Sequence, residues 1–156
     1  PTAGMDLFSP STVAGYAAYY QAPNYTKYWF DASTIISRYK LIESFIDNRN
    51  AVAGYNRSIQ APLDVVDFVA NNPLFTNRTD PTVVVHDLVT YLFPESIDSN
   101  RLSYFVNDIF LGAGMMPYNW TLAWNDYINT SDDSVVRPRL EELFIALVNA
   151  PEFQTY

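Results

Sequence analysis

The strongest constraint on this chain is a spacing. Leu102, Phe105, Val106, Ile109 and Phe110 recur at i, i+3, i+4, i+7 and i+8, which is one face of a 3.6-residue helix and no face of a strand. Asp98 or Ser99 stands ahead of the run as an N-cap, and Gly112 stands behind it as a left-handed stop. The same period returns elsewhere. Ile35, Tyr39, Ile42 and Ile46 form a stripe within residues 31–48, with Asp31 or Ser33 as its cap. Pro62 suits the first turn of a short helix carrying Val65, Val66 and Val69, which Asn71-Asn72-Pro73 stops. Pro81 opens a helix with Val84, Val85, Leu88, Val89 and Leu92 before Pro94, and the last helix starts near Arg137-Pro138 with Leu140, Leu143, Phe144, Leu147 and Val148. A shorter helical segment is expected around Trp120 to Ile128, followed by a polar turn over residues 129–133.

No alternation of strand and helix interrupts these stripes, so the expectation is an all-α fold, a compact array of about five to seven helices. The 156 residues suit one domain, and 49% apolar against 17% charged residues supplies a core. Residues 31–156 read as the helical body. Residues 1–30 read as an irregular arm, rich in tyrosine and broken by Pro10 and Pro23.

Charge and residue usage then narrow function. A net charge of −8 with nine Lys and Arg in total argues against a nucleic-acid partner, whose phosphates need clustered cations. No apolar run approaches the ~20 residues a bilayer requires, so no membrane insertion is expected. Zero cysteines remove thiolate chemistry and zinc fingers, and a single histidine is too few for an ordinary transition-metal site. No metal and no cofactor is expected. The opening Pro1-Thr2-Ala3-Gly4 reads as a processed or excised end, as of the C-terminal part of a longer protein.

Few residues stand out as candidates for chemistry. His86 would need an orienting carboxylate to act as a general base, and its neighbour Asp87 is adjacent on a helix, where side chains diverge. A structural role is the simpler reading. The pairs Asp64/Asp67, Asp132/Asp133 and Glu141/Glu142 suit helix N-termini, Asp64 in a first turn and Glu141/Glu142 early in the last helix. Five Asn-x-Ser/Thr triplets, at Asn24, Asn56, Asn77, Asn119 and Asn129, read as polar turns, and Met115-Met116 as gap fillers. The candidate ligand-binding residues are Tyr16, Tyr19, Tyr20, Tyr25, Tyr28 and Trp29. Such rings suit stacking on sugars or an interface, but packing against the helical body or another domain is favoured.

Two segments carry a family likeness. Ser9-Pro10-Ser11-Thr12-Val13-Ala14-Gly15-Tyr16 followed by Trp29-Phe30-Asp31-Ala32-Ser33-Thr34-Ile35-Ile36-Ser37-Arg38, and the ending Ala150-Pro151-Glu152-Phe153-Gln154, resemble stretches near the C-terminus of the DUF1800 family. Tyr16 stands where that family usually has Trp, and Ser9 where it has Pro. The resemblance implies a bacterial, exported protein of which this chain is the last third or so, and it brings no catalytic residues with it. The partners it implies are the upstream part of the same chain or another exported protein, with polysaccharide as the alternative.

Overall fold

The computed structural model describes residues 36, 39, 40, 43–46 and 63–154. Among them every regular element is helical and no strand occurs, as the stripes require. The elements are α1 (Val65–Asn71), α2 (Pro81–Leu92), α3 (Ser99–Tyr104), a π-helical segment continuing it (Phe105–Phe110), α4 (Pro117–Thr130), α5 (Val136–Val148) and a short α6 (Pro151–Gln154). The described residues of the 31–48 stripe are helical too. Ile46 is buried there and Tyr39 largely exposed, while Ile35 and Ile42 lie outside the described residues.

Three helices start where an aspartate can hold the free amides of a first turn. Asp64 accepts from the Val66 and Asp67 amides at 3.0 and 3.1 Å. Asp80 accepts from Thr82 and Val83, and Asp98 from Asn100 and Arg101. Helix α1 therefore begins after Asp64, at Val65; Pro62, expected in its first turn, lies outside the described residues. Proline fixes the first turn of α2 and α4, where its missing N–H costs nothing.

The core is apolar and centres on α5, which contacts α1, α2, the π segment, α4 and α6. Val136, Leu140, Leu143, Phe144, Leu147 and Val148 are all buried along it. Among the described residues Trp120 of α4 is the largest fully buried side chain. Its ring lies 4.5 Å from that of Phe110 and 5.6 Å from that of Trp124, and its indole N–H donates to the Arg78 carbonyl at 3.0 Å. The Arg78 guanidinium in turn donates to Val69 O at 2.7 Å and Asn72 O at 2.8 Å, satisfying carbonyls at the C-terminal end of α1. One loop residue thus joins α1 to α4.

The stripe that announced α3 ends differently from an ideal helix. The ladder widens, with the Leu111 N–H reaching Val106 O at 2.9 Å, five residues back. Phe105, Val106, Phe110 and Leu111 are buried, whereas Leu102 and Ile109 are only partly so. The wider turn carries Leu111 inward, which a 3.6-residue period does not anticipate. Gly112 then closes the segment at φ +61°, as expected, and Arg139 lies over it: a Cβ there would sit 2.7 Å from Arg139 Nη1.

Trp120→Ala should cost about 3–5 kcal/mol in urea unfolding, as expected for emptying a large aromatic site. Gly112→Ala should cost about 1–2 kcal/mol, because the flexible arginine can shift but the left-handed backbone penalises any Cβ.

Candidate functional site

Among the described residues, the concavity that brings together the sequence's single histidine and an acidic group is a cleft of about 230 Å³ at the C-terminal end of α2. One wall is the α2 face of His86, Val89, Thr90 and Phe93, spaced i, i+3, i+4 and i+7. The other is the chain reversal through Pro94, Glu95, Ser96 and Ile97, with Leu102 of α3 beyond it. Pro94 ends the helix, and the capping of α3 by Asp98 brings the chain back.

Polar groups already have assignments on one side of this cleft. The Thr90 hydroxyl donates to the His86 carbonyl at 2.8 Å. His86 is exposed, and its Nδ1 lies 3.7 Å from Asp87 Oδ1, beyond hydrogen-bond distance. Asp87 instead accepts from the Thr76 amide at 2.9 Å and the Thr76 hydroxyl at 3.1 Å, so it ties the 72–80 loop to α2. The carboxylate beside the histidine is a structural tie and not an orienting group.

The other carboxylates separate in the same way. Asp64 is the N-cap of α1 itself, one position ahead of the first turn in which the sequence placed it. Asp67 accepts from the Asn71 side-chain Nδ2 at 2.7 Å, and Asp132 from the Ser134 backbone N–H at 3.0 Å, a bond that leads in holding the Asp132 carboxyl below its ordinary pKa. Arg137 donates through Nε and Nη2 to Asp133 Oδ2 and through Nη2 to Asp64 Oδ2 at 3.2 Å, clamping the start of α5 to the start of α1. Partial burial pushes the Asp64 carboxyl up, but the Arg137 hydrogen bond and charge, with the Asp67 and Val66 amides, outweigh it and leave the group lowered. Glu142 faces Arg139 at 3.5 Å, while Glu141 is buried. At the other end of the fold, Arg101 grips Glu152 with two bonds, of 2.8 and 3.2 Å, and stacks over the Phe105 ring at 4.5 Å.

The aromatic candidates Tyr16, Tyr19, Tyr20, Tyr25, Tyr28 and Trp29 lie outside the described residues, as do Asn24 and Asn56. Asn77 sits in a turn, accepting from the Thr79 amide and hydroxyl. Asn119 and Asn129 do not: both lie within α4, which is longer than the segment expected there. Met115 packs partly against the core and Met116 is exposed at the start of α4. No group of three or more His, Cys, Asp or Glu able to hold a metal ion occurs among the described residues. None of their helices is long and apolar enough to cross a membrane.

Glu95 was missed by sequence reading. The available signal was Leu92-Phe93-Pro94-Glu95, a helix that stops with no basic residue near its carbonyl end and an acid just beyond.

The clamp makes a pH prediction. The folded Asp64 pKa is depressed, so its contribution is complete at neutral pH and is lost as pH falls through the folded value. Asp64→Asn should therefore lose more stability relative to the parent at pH 7 than at about pH 3, the gap narrowing as pH falls. Urea unfolding at the two pH values measures the gap.

No family model, curated protein or solved structure matches this chain.

Proposed function

We propose that this chain serves as a non-catalytic structural or interaction module, the C-terminal part of an exported bacterial protein of the DUF1800 type. The observation that carries the reading is the outer surface of α4. Tyr118, Leu122 and Ile128 are 68%, 50% and 60% exposed, and Met116 just before the helix is 67% exposed. Asp126 is the one charged residue in the fourteen of α4. A helix that buries Trp120 and Trp124 inward while presenting large uncharged side chains outward has a surface suited to a protein partner.

The polar side chains support the same reading from the other direction. Arg78, Arg101, Arg137 and Arg139 each engage groups of this same fold, and Asp64, Asp80 and Asp98 hold helix starts. These are architectural tasks. The partner favoured is the upstream part of the same longer chain, with another exported protein next.

The encoding gene and a retention assay test the proposal together. The full reading frame should continue upstream of Pro1, and removing this module, or introducing Leu122→Lys, should weaken the remainder's stability or its association with the module. Retention on an insoluble polysaccharide that disappears in Tyr19→Ala or Trp29→Ala would instead make the chain a carbohydrate-binding module and overturn the proposal.

A further inference from the structure

From the cleft at the end of α2 we infer that it receives an alkylammonium group, carried either by a small primary amine or by a lysine side chain of a partner. Three independent features of the cleft converge on that chemistry.

The floor is apolar. Val89, Phe93, Ile97 and Leu102 line it, and 230 Å³ is room for about seven waters, or for an aliphatic body of similar size. The rim carries Glu95, whose charge is negative and which is exposed. The third feature is the helix itself. Twelve residues of α2 direct their carbonyl end at this place, no basic side chain stands in the last turn, and the dipole there is equivalent to roughly half a negative charge. The Phe93 N–H closes on Val89 O, but the next residue, Pro94, has no N–H to offer the carbonyl that follows.

At the helix end and at Glu95 a ligand meets acceptors above an apolar floor, the Thr90 hydroxyl already donating to the His86 carbonyl, while the exposed His86 ring and Ser96 border the same cleft. An ammonium supplies three donors and a positive charge, and its alkyl stem covers the floor. An anion would meet the Glu95 carboxylate and the carbonyl end together. The chain's net charge of −8 further raises the local concentration of cations at its surface.

Titration with n-butylammonium chloride, followed residue by residue by NMR, should give saturable shifts confined to residues 86–102. The neutral alcohol n-butanol should bind about three- to fivefold more weakly, the scale of one exposed charge pair. Glu95→Gln should bring the two ligands close together in affinity. Thr90→Lys, which tethers an ammonium in the last turn of α2, should abolish the butylammonium response while leaving the helical circular dichroism unchanged. A lysine peptide that binds more tightly than the free amine, and loses binding on Nζ-acetylation, identifies a partner's side chain as the source; tighter binding of the free amine identifies a small molecule. Shifts that do not saturate, alcohol and ammonium binding equally to the parent protein, or an unchanged preference in Glu95→Gln would each overturn the inference. None of these results bears on the α4 surface, so this site and the proposed function stand or fall separately.

Discussion

Helix α5 must bury apolar side chains toward several neighbours at once, and the rest of the described structure is arranged by that demand. Its Leu140, Leu143 and Leu147 are fully buried, and α1, α2, the π segment, α4 and α6 all touch it. Burying side chains of this size is worth roughly 1.5–3 kcal/mol each. Apolar burial by itself is non-directional. The ends supply what it lacks: at the start Arg137 bridges Asp133 and Asp64, and just past the finish Arg101 grips Glu152. The short helices α1 and α6 are too brief to persist alone. They hold because these ties and the core fix them.

A second layer of order comes from residues that join elements through backbone carbonyls. Arg78 terminates α1 with its guanidinium and receives the Trp120 indole at its own carbonyl, while the Thr121 hydroxyl donates to Thr79 O at 2.8 Å. The 72–80 loop thereby acts as a strap between α1 and α4, and Asp87 fastens it to α2 through Thr76. The buried indole keeps its hydrogen bond inside the core, where leaving it unmade would be costly. Among the described residues, Arg78, Arg101, Arg137, Asp64 and Asp87 are committed to this framework.

That commitment shapes the outer surface. The described arginines, turned to carboxylates and carbonyls of the same fold, leave uncharged stretches conspicuous, above all the outer face of α4. It also leaves the carbonyl end of α2 without a basic side chain beside it, next to Glu95. The two features fit different kinds of contact: α4 offers breadth without charge, and the cleft offers a small apolar well with a negative rim.

Period and punctuation in the sequence were enough to define the helical class and most helix positions. The stripes of Val84, Val85, Leu88 and Val89, and of Leu140, Leu143, Phe144 and Leu147, are buried as their spacing requires, because helix geometry alone puts them on one side. Capping by Asp98 and the stop at Gly112 are local too, since each depends on amides or a backbone angle within a few residues. Widening of the helix over Phe105–Phe110, with Leu111 buried and Ile109 only partly so, was not legible in a stripe of 3.6-residue period. Nor was the cleft, or the ties of Asp64 to Arg137, of Asp87 to Thr76 and of Arg78 to the end of α1, whose partners lie 6 to 73 residues away in sequence. Local spacing determines which face of a helix is apolar; only the packed structure decides what that face, and the polar groups around it, will meet.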